Sequence, residues 1–298
     1  MKLTMILVTA MHADHPSFKA PPNPDGKIWQ YMDLAQFVSM LQRKQLFFVK
    51  ANQLRDPYEG TMPQHNNNNT NNPKPPSAYE EERRGFPAPA SRQSNRHPTK
   101  TMPEDLKRQF QIYREKVLIN GWHCNEYESA AMWQLYSQEN AGIAIQSTAS
   151  RLGKCFGKNT QDTVWIGKVD YLDYSKELED EWNLFKAFVI KRKSFEYENE
   201  IRAITCLPAD GQLGDRSAFS NSGKEEGETS PAGQLPPATN SKDLTDKGKY
   251  VSADLQTLIE NVYIAPFSEP WFKEVVESLL SKYELKANVI KSDLYIVY

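Results

Sequence analysis

The sequence predicts an α+β fold: one mixed domain with a central, largely antiparallel sheet, flanking helices and two loop insertions. Three observations lead there. Short β-rich runs are interspersed with segments of helical apolar spacing. No internal repeat is present. Two polar stretches, 63–103 and 208–248, carry too little apolar area to offset the entropy of ordering them.

The elements follow in chain order. Residues 1–26 form an unpatterned lead. Its apolar run, 3–11, reads as a leading strand, as the product of an upstream start codon, or as a minimal signal peptide with Ala13 near the cleavage site. Residues 27–31 form a short aromatic strand. Asp33 is a plausible N-cap, after which Leu34, Phe37, Val38 and Leu41 recur at helical spacing. Residues 46–49 are β-rich. In 55–60, Pro57 biases Asp56 away from the α region and Gly60 permits a tight turn. The first insertion opens with asparagines and then scatters prolines, which suits a disordered or partly ordered loop. A helix is expected over 104–117, with Leu106, Phe110, Tyr113 and Val117 on one face, then a strand over 118–124. Asn125 with Glu128 three residues on has capping-box character, so the next helix spans 129–137. Residues 142–145 form a buried strand, 164–171 a strand, 178–190 a helix and 195–206 a charged strand. After the second insertion come a helix over 253–260, a strand over 262–264, a helix over 270–283 with Pro270 in its first turn, and a strand over 288–298. Residues 27–298 thus read as one domain around one core.

Composition excludes several classes. The chain has 298 residues, 36 basic and 38 acidic, for a net charge of −2. That balance lacks the basic surface of a bulk nucleic-acid binder. No window of 18 apolar residues predicts a membrane span. Cys124, Cys155 and Cys206 are widely spaced and form no CxxC, which argues against a disulfide framework or zinc ribbon and fits a reducing cytoplasm. Residues 153–159 miss the phosphate-binding loop, with three residues between the glycines and Asn159 after the lysine. Four of the five histidines lie in the lead or the first insertion. A histidine metal site or a catalytic triad could draw only on His123, which is more often a satisfied strand residue.

Three motifs carry chemistry. In Phe195-Glu196-Tyr197-Glu198-Asn199-Glu200-Ile201-Arg202, a strand would put Glu196, Glu198, Glu200 and Arg202 on one face. Crowded carboxylates would raise one pKa, while Arg202 would hold another ionised. The row suits a base or a ribose anchor; for one isolated strand, a solvated edge with alternating charge is the favoured structural alternative. In Glu128-Ser129-Ala130-Ala131-Met132-Trp133-Gln134-Leu135-Tyr136, a helix would align Ser129, Trp133 and Tyr136, as core and cap or as the aromatic wall of a pocket for a flat ring. In Asp56-Pro57-Tyr58-Glu59-Gly60, two acids in a pinned turn could receive a metal, a backbone or an arginine; an Asx-type turn with Asp56 paired to Arg202 is the structural alternative.

As a set, Trp29-x-Tyr31, Asp56-Pro57-x-Glu59-Gly60, Trp122, Glu128-Ser129-x-x-Met132-Trp133-x-x-Tyr136, Phe195-x-x-Glu198-x-Glu200-x-Arg202 and Ser292-Asp293-Leu294 resemble a large bacterial domain family of unknown function. The resemblance covers nearly all of the chain outside the insertions and implies an association with mobile elements and phage-defence loci. A weaker likeness links the aromatic strand, the helix and the spaced late glutamates to the ADP-ribosyltransferase-like fold. It implies that Tyr31, then Ser129 or Tyr136, then Glu198 or Glu200 grip NAD. The sequence departs from that pattern in having Gln30 and Tyr31 where an Arg or His would stand, and in placing its middle motif on a helix.

The expectation is therefore a cytoplasmic conflict- or defence-type enzyme with NAD as its substrate. Glu198 or Glu200 would be the catalytic carboxylate. Arg202 would orient it or bind pyrophosphate, and Tyr31, Trp133 and Tyr136 would line the ring pocket. Two alternatives stand beside it. One is a phosphodiesterase or nuclease holding Mg²⁺ through Asp56, Glu59, Glu128, Glu198 and Glu200. The other is a sensor that binds a nucleotide or a protein, with the insertions as partner-facing arms.

Overall fold

The computed structural model describes residues 18–63, 104–137, 140–157, 162–174, 183–207 and 243–296. The apolar run in the lead, residues 178–182 of an expected helix, and most of both insertions lie outside them.

Among the described residues, nine strands form one sheet and two more form a short parallel ribbon. Strand β1 (Lys27–Asp33) runs into helix α1 (Leu34–Arg43). Asp33 is the N-cap: its carboxylate accepts from the Gln36 amide at 2.7 Å, and the Gln36 side chain accepts from the Asp33 amide at 3.2 Å. This reciprocal box satisfies two otherwise orphaned donors. Next come β2 (Gln45–Lys50), α2 (Glu104–Lys116), β3 (Val117–Cys124), α3 (Ala130–Tyr136), β4 (Gly142–Thr148) and α4 (Ala149–Cys155). The chain continues through β5 (Trp165–Lys168), β6 (Asp170–Leu172), β7 (Ile190–Arg192), β8 (Glu200–Cys206), β9 (Gly248–Ser252), α5 (Leu255–Leu258), β10 (Asn261–Ile264), α6 (Pro270–Lys282) and β11 (Asn288–Lys291). Within the large sheet every pairing is antiparallel except β10 with β11.

Strand β3 organises the sheet. One of its edges pairs with β8 along its length, from Val117↔Cys206 to His123↔Glu200. The other is shared: β2 takes Leu118 and Ile119, β1 takes His123 and Cys124. Side chains fill the fork where β1 and β2 part. Asn120 donates to the Phe47 carbonyl at 3.0 Å and accepts from Trp122 Nε1 at 2.6 Å, and Gln30 donates to the Gly121 carbonyl. Backbone carbonyls that a continuous ladder would have satisfied thus keep donors.

The period of two then sorts the residues. Ile28, Met32, Leu118, Trp122, Ile143, Ile145, Ile201, Ala203, Val262 and Ile264 face one way and meet α1, α4, α5 and α6 in the main core. Trp29, Tyr31, Gly121, His123, Ala144, Glu200, Arg202 and Ile204 face the other. At one end of that second face α3 adds Met132 and Trp133 to Trp29, Tyr31 and Ala144. At the far end Val117, Ile119 and Ile204 pack with Phe188 and Val189, joined by Phe18 from the lead. Polar residues occupy the middle.

Several expectations are corrected. The charged strand does not begin at Phe195. Lys193–Glu198 is a 3₁₀ helix, Asn199 takes a left-handed φ of 37°, and β8 starts at Glu200. Asparagine tolerates that region, and its side-chain amide donates to the Cys124 carbonyl while its own carbonyl accepts from the Cys124 amide at 2.8 Å. The expected helix to residue 190 is a 3₁₀ turn at Lys186–Phe188 followed by β7. The 164–171 strand divides into β5 and β6, and the second polar stretch ends earlier, because Gly248 opens β9. The final strand stops at Lys291. The helix after the Asn125 box is capped instead by Ser129, whose hydroxyl accepts from the Met132 amide.

Candidate functional site

The middle of the second sheet face holds a buried ion network. Arg202, from β8, is 1% exposed and pairs in a fork with Glu59: its two terminal nitrogens reach the two carboxylate oxygens at 2.7 and 2.8 Å. The same guanidinium donates to the Phe188 carbonyl and to Glu200 Oε2, each at 2.8 Å. Lys191, from β7, places its ammonium 2.5 Å from Glu198, 3.2 Å from Glu59 and 3.5 Å from Glu200. Three carboxylates thus surround two cations, leaving one negative charge in excess. Burial alone would raise the Glu59 carboxyl's pKa, but Arg202 and Lys191 outweigh it and hold the group below its ordinary range. Burial would likewise lower Lys191 and Arg202, yet the surrounding glutamates raise both above their usual values. All three are therefore charged at neutral pH.

Local structure explains why these side chains converge. Gly60, with φ 69°, closes the turn that aims Glu59 inward. Asp56 accepts from Arg192 at 2.8 and 3.2 Å and from the Tyr58 amide at 3.1 Å, anchoring that turn to β7. In place of the Asp56–Arg202 pair offered as a structural alternative, the fold forms two pairs, Asp56–Arg192 and Glu59–Arg202. Gly121 lies beneath Glu200: a Cβ there would collide with Glu200 Oε1. Only glycine lets this carboxylate lie across β3. Both cations reach Oε2, and no donor among the described residues reaches Oε1. The Glu200 amide donates to the Tyr171 hydroxyl at 2.7 Å, which fixes the start of β8.

The aromatic helix borders this network. The Tyr136 hydroxyl donates to Glu198 Oε1 at 3.0 Å; burial, then the Glu198 charge, raises the phenol's pKa and keeps it a donor. Tyr136 is 40% exposed. Trp133 is buried; its indole nitrogen donates to Glu128 at 2.8 Å and its ring meets Tyr31 edge-on at 5.1 Å. The Tyr31 hydroxyl accepts from the Ser129 amide at 2.8 Å, and burial raises its pKa. Tyr31, Glu128, Ser129 and Trp133 thus brace one another as a wall, with Tyr136 at its open edge.

The structure gathers Glu59, Glu198, Glu200, Arg202 and Tyr136 into one network. Asp56 stands one ion pair away. Glu196, expected in the same row, is exposed because the 3₁₀ helix breaks the alternation. Arg202 is enclosed by Glu59, Glu200 and the Phe188 carbonyl, so it positions carboxylates and offers no face to a pyrophosphate. The five acids do not meet at one point. Glu128 serves Trp133, Asp56 serves Arg192, and the other three converge on the Lys191 ammonium. Among the described residues, no group of three or more His, Cys, Asp or Glu side chains could hold a metal ion. No helix among them is long and apolar enough to cross a membrane.

Two residues join the network without a sequence signal that places them there: Lys191, and His123, which sequence presents as a satisfied strand histidine. Lys191 sits in a Lys-Arg-Lys run that looks like solvated charge, and only pairing of β7 with β6 turns it inward. His123 lies two residues from Gly121 on the same strand face, directly opposite Glu200. Its Nδ1 is 2.6 Å from the Glu198 carbonyl oxygen. A carbonyl only accepts, so Nδ1 carries the proton. Nε2 is buried and has no partner among the described residues.

Comparison with protein-family profiles, with curated proteins and with solved structures finds no significant match to this chain.

Proposed function

We propose that the chain is a cytoplasmic enzyme of the bacterial conflict and defence type that cleaves NAD, or transfers its ADP-ribosyl group, at the bond between nicotinamide and ribose. The family resemblance of the motifs supports the setting, and the site supports the chemistry. The observation that carries the reading is Glu200. Its Oε2 is clamped by Arg202 and Lys191, while Oε1 has no donor among the described residues and lies over Gly121 in a cluster with one negative charge in excess. Breaking an N-glycosidic bond develops positive charge on the ribosyl carbon and ring oxygen. A carboxylate fixed before the reaction stabilises that charge without reorganising, and the excess negative charge also suits the cationic pyridinium of NAD.

The remaining residues support it. Lys191 and Arg202 hold the three carboxylates in place and keep Glu59 ionised. Tyr136 and Lys191 hold Glu198, and the exposed Tyr136 offers a face for the nicotinamide. Tyr31 and Trp133 stiffen the wall behind it. The Mg²⁺ alternative draws less support, since each acid it needs already has a cationic or hydrogen-bonding partner within the protein.

The test uses NAD labelled in the nicotinamide ring. Purified protein, alone or with cell lysate, should release label, and Glu200→Gln should abolish release while melting at a similar temperature. No release by the wild type under either condition overturns the reading. Release that EDTA abolishes and Mg²⁺ restores would replace it with a metal-dependent one.

A further inference from the structure

We propose that His123 Nε2 is the general base that takes the proton from the attacking nucleophile, a water or an acceptor hydroxyl, as it bonds to the ribosyl carbon. The inference rests on the proposed reading of the reaction and adds to it the group that activates the acceptor.

The argument starts from hydrogen bonding. The Glu198 carbonyl fixes the Nδ1–H tautomer, so the neutral ring presents a lone pair at Nε2. That atom is buried and has no partner among the described residues. Buried ring nitrogens normally find one, and an orphan needs an explanation. The position supplies it. His123 and Glu200 are directly paired across β3 and β8, which sets their Cβ atoms about 4.5–5.5 Å apart on one face. Glu200 Oε1 lies over Gly121, two residues along the same strand face from His123, so both groups border one strip of the sheet. The titratable groups against this ring are Tyr31 from β1, with ring centroids 6.4 Å apart, Glu200 opposite it on β8, and Glu198 from the 3₁₀ helix, whose carbonyl it meets. Burial lowers the imidazole's pKa and outweighs the opposing influence of Glu198, so the ring is neutral at physiological pH, as a base must be.

The step balances. The nucleophile's oxygen bonds to the ribosyl carbon as the carbon–nitrogen bond breaks. That bond's electron pair goes to the pyridinium nitrogen, releasing neutral nicotinamide. The nucleophile's proton passes to Nε2 and then to solvent, so hydrolysis yields ADP-ribose, nicotinamide and a proton.

His123→Asn tests it, because the Asn amide can still donate to the Glu198 carbonyl but offers no basic nitrogen. Nicotinamide release should fall about 10²- to 10⁴-fold, NAD affinity should persist, and the loss of wild-type kcat/KM below pH 6.5 should disappear. Azide is a nucleophile with no proton to lose. It should restore turnover in His123→Asn, yielding a ribosyl azide detectable by mass, but not in Glu200→Gln. Wild-type rates and pH profile in His123→Asn, or no rescue by azide, overturn the assignment while leaving the reaction class standing. An inactive wild type removes both. Should the variant not fold, ¹⁵N shifts of the wild-type imidazole decide: a bare Nε2 is required, and an Nε2–H tautomer overturns the proposal.

Discussion

Arg202→Met probes the ion network most severely. Methionine keeps much of the arginine stem's apolar volume and removes the charge. Glu59, only 2% exposed, then loses its forked partner, and Glu200 loses a 2.8 Å donor. Removing one member of a buried ion pair strands the other and costs about 3–5 kcal/mol. At about 2–4 °C per kcal/mol for a domain of this size, that is a fall in Tm of about 6–20 °C. Urea unfolding followed by circular dichroism gives the free energy by linear extrapolation. Adding Glu59→Gln removes the stranded charge, so the double variant should be less destabilised than the sum of the singles by about 0.5–3 kcal/mol. The pH dependence has a definite sign. Glu59 has a depressed pKa in the fold, so its contribution is fully present above the unfolded value, about 4.3, and disappears as pH falls through the folded value. Glu59→Gln should lack that part of the acid destabilisation. An Arg202→Met protein within about 0.5 kcal/mol of wild type, the range of an ordinary surface change, would refute the argument.

Two further variants separate positioning from packing. Gly121→Ala puts a methyl group where Glu200 Oε1 lies; nicotinamide release should drop at least tenfold while the protein stays folded, and unchanged turnover would show that the carboxylate's place over β3 is immaterial. Asp33→Ala removes the capping box of α1 on the opposite face of the sheet; it should cost about 0.5–2 kcal/mol in denaturant unfolding and leave activity per folded molecule intact.

Legibility in the sequence followed the range of the interactions. Helix α1 could be read from Asp33 and the spacing of Phe37 and Leu41, and α6 from Pro270, because caps and helical periodicity are local. The α+β character followed from short β-rich runs such as 142–145 interspersed with helical segments. The glutamate row failed for an instructive reason. Glu196, Glu198 and Glu200 alternate as strand residues do, but the left-handed turn at Asn199 depends on its bonds to Cys124, 75 residues away. The placement of Lys191 and His123 was hidden likewise, since what brings them to the network is a strand partner or a carbonyl supplied by the fold. The Asp-Pro-x-Glu-Gly turn announced two useful acids, but not which arginine each would meet.

The most direct test measures NAD consumption by the wild type, Glu200→Gln and Glu196→Gln side by side. The two glutamates would share a face on a simple strand, but only Glu200 lies in the ion network. The account predicts turnover by wild type and Glu196→Gln at equal rates and none by Glu200→Gln. Persistent turnover in Glu200→Gln, or an equal loss in Glu196→Gln, would contradict it.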